Sequence, residues 1–332
     1  MKKYYISLLL GIIMLSFSCS KDDTNTNTII NPDPSTEVPT EGTPFVDNNN
    51  YTPTNSTEIN YYQKIDFNLR GRKLKAALHQ LVTTTHKQLN YTPDIWNACK
   101  ITDEDPENPN NVLLIYGWPE GQSTQSIYMR TMDKNKRNTS GTDNANLRDK
   151  LWEREHVFAK SLAYPKLVTD KYNGYTELGL IAGTDAHNLR PINGEWNNTR
   201  SNLKFVDGKG NSGKKGNYWY PGDEWKGDVA RMMMYMFLRY DQQCRPDAVG
   251  EGRIIFFDKG DRDGMIDLFL KWNEEDPVSP IEKKRNDYHG NTNNQYAQGN
   301  RNPFIDNPYL ANLIWENSNG KIKTAENKWT KK

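Results

Sequence analysis

The chain has 332 residues, with 43 Lys and Arg set against 42 Asp and Glu, and 35% of it is hydrophobic. That apolar content supports a substantial core and excludes a wholly disordered chain, while only three cysteines exclude a disulfide-stapled mini-scaffold. A net charge of +1 excludes a uniformly basic surface but not a local basic cleft, and residues 130–215 carry 16 basic against 10 acidic side chains.

In chain order, Lys2 and Lys3 precede an apolar run from Tyr4 to Phe17 that ends on Cys19. Fifteen or so apolar residues are too few for an ordinary membrane span, so the segment reads as an export signal. It resembles a bacterial lipoprotein signal over residues 1–18, with Cys19 as the lipidated first residue of the mature chain. Ser20-Lys21-Asp22-Asp23 resembles the signal that sends some lipoproteins outward, so the expected location is the outer membrane, facing the cell exterior. The periplasm and the medium are the alternatives. Residues 20–60 hold nine Thr, eight Asn and five Pro without periodicity, so residues 19–60 read as a disordered tether.

Residues 61–320 contain no linker-like break and read as one domain, followed by a tail at 321–332. Leu74, Ala77, Leu78, Leu81 and Val82 recur at helical spacing within 72–89, and 112–116 is a short apolar strand bounded by Asn and Gly. Helices are expected over 227–240, 265–272, 280–287 and 308–315, the first apolar around its whole circumference and therefore buried. Helices outnumber short strands, so the fold class is α+β, mostly helical. Cys99 and Cys244 can form one bridge or stay as two thiols; spacing decides neither.

Two segments carry candidate chemistry: Glu153-Arg154-Glu155-His156-Val157 with Lys160-Ser161, and Asp185-Ala186-His187-Asn188-Leu189-Arg190-Pro191 followed by Asn197 and Arg200-Ser201-Asn202. Hydrolysing a phosphodiester requires a base for water, neutralisation of a highly charged transition state and help for the leaving oxygen. A neutral imidazole suits the first task, and a hard cation held by one or two protein oxygens suits the others. His156 is the candidate base, Glu155 and Asn197 the candidate ligands, and Arg200 the candidate phosphate contact. Adjacent strand residues point to opposite faces, so Glu155 and His156 serve one phosphate only if the strand ends or bends there. Asn197 falls on a helix starting near Asn193 or Gly194, giving strand, long excursion, strand, helix. His187 reads as a structural support for the second strand.

The ordered set, extended by Lys226–Arg231, Trp272, Asp276–Ser279 and Gln298–Asp306, resembles the endonuclease I family of secreted and periplasmic nucleases over roughly residues 61–316. The resemblance implies a ββα-metal (His-Me finger) site, with His156 as general base and Glu155 and Asn197 as the ligands of a single divalent ion. That ion is normally Mg²⁺, with Mn²⁺ or Ca²⁺ as substitutes. It further implies largely sequence-nonspecific cutting of DNA, and often of RNA, with 5′-phosphate ends. A monomer is expected, touching a membrane only through its lipid. The chain departs from the family pattern at Ala159, at Asn307 and in a longer segment over 286–297, which bears on substrate access. The rival from another class is a surface glycan-binding lipoprotein, whose nine tryptophans and eighteen tyrosines would stack on sugars.

Overall fold

The computed structural model describes residues 51–170, 181–258, 263–315 and 323–331. The expected signal, Cys19 and most of the expected tether lie outside the described residues.

Lys226–Tyr240 is the axis of the domain. From Gly227 to Tyr240 every residue is buried, as its all-round apolar sequence predicts, and the four methionines fill the core rather than a surface. Against this helix pack Gly71–Thr84, Asp267–Glu275 and the short Leu310–Trp315. The helix expected at 265–272 begins two residues later, because Met265–Ile266 pairs antiparallel with Ile254–Ile255 before the chain turns. Pro280–Gly290 carries a capping box: Ser279 Oγ accepts from the Glu282 amide, and Glu282 Oε2 accepts from the Ser279 amide at 2.9 Å. The strand expected at 112–116 is shorter, Asn111–Leu113, paired with Thr131–Asp133; Tyr116 turns out of it at φ 65°.

A second, smaller apolar cluster gathers Ile95, Trp96, Cys99, Val112, Leu114, Met132, Trp152 and Leu189. It lies beneath the helix Trp96–Thr102, whose buried face the sequence reading missed. Cys99 belongs to this cluster and Cys244 to the main core, and both are buried free thiols.

Between the two clusters runs an antiparallel pair, Trp152–His156 with Leu189–Asn193, in the register Glu155 opposite Arg190 and His156 opposite Leu189. The chain passes directly into the helix Gly194–Arg200. Asn193 caps it, accepting from the Glu195 and Trp196 amides at 2.9 and 3.1 Å. Beneath the pair, Arg190 donates to Asp103 at 2.5 Å and to Asp228 of the axial helix at 2.9 Å. Arg285 donates to Asp103 as well, and to the carbonyls of Ala186 and Leu189. All of these side chains are buried, so the ion pairs fix the strands to the helical core.

The expected boundaries at 61 and 321 shift outward. Tyr51–Thr52 pairs with Thr330–Lys331, and Ser56–Tyr61 is helical. Trp329 is buried against Tyr62 and Phe67 and donates to Glu58 Oε2 at 3.0 Å. Each segment is the other's partner, so neither announces itself in its own composition. Asn307 holds the later one, donating to Asn327 Oδ1 at 2.8 Å and accepting from the Lys328 amide at 3.1 Å.

Candidate active site

The strand Trp152–His156 divides the site residues between its two faces, as the period of two requires. Trp152, Arg154 and His156 look toward Tyr91 and Trp96: the His156 ring stacks on Tyr91 at 5.6 Å, and the Arg154 guanidinium lies 3.4 Å from the Tyr91 ring centre and 4.2 Å from that of Trp96. Glu153 and Glu155 look toward the helix Gly194–Arg200. The strand ends at His156, where the Val157 amide donates to the Asn188 carbonyl and the Phe158 amide to Asn188 Oδ1 at 2.7 Å. The expected strand end is therefore present. In this conformation the imidazole and the Glu155 carboxylate still leave the strand on opposite sides.

His156 Nε2 donates to the Gly183 carbonyl at 2.8 Å. A carbonyl only accepts, so Nε2 carries the proton, and the neutral ring keeps its lone pair on Nδ1. Burial drives the His156 pKa down to about 3, with the charges of Lys160, Arg154 and Arg200 acting in the same direction against the Gly183 bond. The ring is thus neutral at ambient pH, with Nδ1 as its acceptor atom. Sequence reasoning missed Gly183. A Cβ there would lie 2.6 Å from the Val168 carbonyl oxygen, so only glycine lets the chain press that close. The Gly in Ala182-Gly183-Thr184, just before the second motif, was the available signal.

Glu155 is buried, and its Oε1 has no hydrogen-bond donor among the described residues; Arg200 Nε lies 3.2 Å from it. Burial raises the Glu155 pKa to about 7, opposed by the Arg200 charge. Arg200 itself is fully buried: it donates to the carbonyls of Val157 and Ser201 at 2.7 and 2.8 Å and lies over the Phe205 ring. The expected phosphate contact thus sits inside the protein, fastening helix to strand.

Asn197 Nδ2 donates to Glu153 Oε2 at 2.8 Å. Glu153 also accepts from Arg148 at 3.1 Å and, through Oε1, from Asn138 at 2.6 Å. With its NH₂ engaged, the Asn197 carboxamide presents Oδ1 as its free acceptor. Asn198, the next residue, is exposed and turns to Glu195. The structure therefore joins Asn197 to Glu153 and Arg200 to Glu155, one helical turn apart on one face.

His187 is buried, and its Nε2 meets the Asn300 carbonyl at 3.1 Å. Asp185 accepts from the His187 amide and from the Tyr235 and Tyr240 hydroxyls. The second motif is thus built into the core. His289 is buried beside His187, with ring centres 5.4 Å apart.

Among the described residues no group of three or more His, Cys, Asp or Glu is placed to hold a metal. The donors present still fit a hard cation resting on one or two protein oxygens: an under-neutralised buried carboxylate with an orphaned oxygen, and a carboxamide whose oxygen is free.

A neutral imidazole and an acid–carboxamide face on a strand–strand–helix unit, set in a mostly helical α+β domain, have the layout of a ββα nuclease. Residues 70–309 match the family described as Endonuclease I, and the chain belongs to that family. An extracellular ribonuclease of Bacillus amyloliquefaciens is 38% identical over 277 residues, covering 80% of this chain and 80% of that protein. One from Bacillus subtilis (strain 168) is 37% identical over 257 residues, covering 74% and 75%. The protein is a nuclease, and its substrate is nucleic acid.

Proposed function

We propose that the protein is an exported, divalent-metal-dependent endonuclease that cuts RNA and DNA with little sequence preference and leaves 5′-phosphate ends. The observation that carries the reading is the His156 ring, held neutral with Nε2 fixed on the Gly183 carbonyl and Nδ1 left to take a proton from water. Glu155 and Asn197 would hold the cation, Mg²⁺ by the chemistry of their oxygens. When bound, it would supply charge neutralisation at the scissile phosphate and the leaving oxygen. Glu153 orients the Asn197 carboxamide, and Arg200 holds the Glu155 carboxylate and the chain just after the base in fixed relation. The name borne by both Bacillus relatives supports RNA as a substrate. Their extracellular location supports export, here with Cys19 lipidated on the cell surface, and we propose a monomer.

Eight of the nine tryptophans are buried, so the tryptophans offer the glycan-binding alternative little stacking surface. The test is a solution assay on DNA and RNA, comparing wild type with His156→Ala, each with Mg²⁺ and with EDTA. Cutting by wild type in Mg²⁺ alone is expected, with the variant slower by about 10²–10⁴-fold. Undiminished cutting in chelator, or by the variant, would overturn the metal or the base assignment respectively.

A further inference from the structure

Around Trp96, on the side of the strand away from Glu155, three cations stand without an ion-pair partner among the described residues: Arg154, Arg137 and Lys100. Arg154 is half-buried, laid over Tyr91 and Trp96, and its Nη1 donates to the Tyr91 carbonyl and to Thr92 Oγ1. Its Nε is buried with no acceptor. Arg137 lies 5.6 Å from the Trp96 ring centre. Lys100 stands one turn after Trp96 on the same helix and donates to Asn135 Oδ1 at 3.2 Å. The Asp133 charge acts on Lys100 without forming an ion pair with it; Glu104 is already bound to Lys134 and Lys284. Five other arginines, Arg190, Arg200, Arg231, Arg285 and Arg301, are spent on buried carboxylates, so a run of cations left outside any ion pair needs an account.

We infer that Arg154, Arg137 and Lys100 form a track for the sugar–phosphate backbone, leading away from the scissile phosphate at His156 along the rim of the Trp96 cluster. The inference rests on the nuclease reading and adds to it the residues that grip the strand, a part that the buried Arg200 does not fill. A guanidinium stacked on two rings is held in place at small entropic cost, with Nη2 left for a phosphate oxygen. Trp96 ties the three together: Arg154 and Arg137 both lie against its ring, and Lys100 follows it on the same helix. The arrangement offers charge without base-edge readout, as sequence-nonspecific cutting requires.

The experiment measures the Kd of a labelled single-stranded oligonucleotide against salt, in the His156→Ala background with Mg²⁺. Removing one phosphate-binding charge should reduce the slope of log K on log salt by about 0.7, so that Lys100→Gln, Arg137→Gln and Arg154→Gln together lower it by about 2. Arg154→Lys should keep the slope that Arg154→Gln loses, which separates charge from packing against Tyr91. If the triple variant does not fold, Lys100→Gln with Arg137→Gln carries the test, with a slope change of about 1.4. Unchanged slope and affinity in a folded variant overturn the track. That result, with wild type cutting and His156→Ala silent, would leave the base assignment standing; a wild type that neither binds nor cuts would remove both.

Discussion

At the scale of single residues, the site depends on what fixes each group rather than on the group alone. His156 is a base because one nitrogen is tied to Gly183, and Gly183 can be there because it has no Cβ. Gly183→Ala should therefore push the carbonyl away and free the ring to rotate. We expect kcat to fall by roughly 10–100-fold, part of the contribution of a positioned base, with oligonucleotide Kd nearly unchanged. Anisotropy and initial rates on one preparation decide it, and equal losses in both would point to a wider disturbance. Asn197 was legible from its spacing to Arg200. The identity of its partner, Glu153, was not, because two carboxylates two apart on a strand share a face and only the placement of the helix chooses between them.

At the scale of elements, the strand–strand–helix unit was legible because its punctuation is local: a helix start near Asn193, which caps it, and the three-residue spacing of Asn197 and Arg200. The buried ion pairs beneath it were not, because Asp103, Arg190, Asp228 and Arg285 are distant in sequence and each alone reads as a surface charge. Asp228 already sits well above the usual carboxylate range, first through burial and then through Glu282. Arg190→Leu should leave it buried without its counter-ion and cost about 3–5 kcal/mol. Urea unfolding of the variant checks this, and a loss below about 1 kcal/mol would mean that Asp228 is neutral in the folded protein.

At the scale of the whole molecule, several histidines are stored uncharged. Burial takes His187 down to about 4 and also depresses His86 and His289. A histidine free in the unfolded chain titrates near 6.5, so below that pH the unfolded state binds more protons and stability falls with falling pH. For His187 the contribution is fully present above about pH 6.5, is lost toward pH 4, and amounts to about 3 kcal/mol. Denaturant midpoints should accordingly drop as the protein is taken from about pH 7 to about pH 5, and His187→Gln should flatten part of that dependence. A variant as steep as wild type would place the titration elsewhere.

What the amino-acid order determined by itself was everything carried by short-range pattern: the all-round apolar axial helix, the helix that opens at Pro280, the helix carrying Asn197 and the ordered motifs that mark a nuclease. Those features follow from period, turn chemistry and reactive groups a few residues apart. Only the tertiary structure decided that Arg200 is internal, that Gly183 orients the base, that Trp329 closes against Tyr62 at the other end of the domain, and that Arg154, Arg137 and Lys100 stand together unneutralised. Each of these is a relation between groups far apart along the chain, set by how the two apolar clusters pack, and no window along the sequence contains both partners.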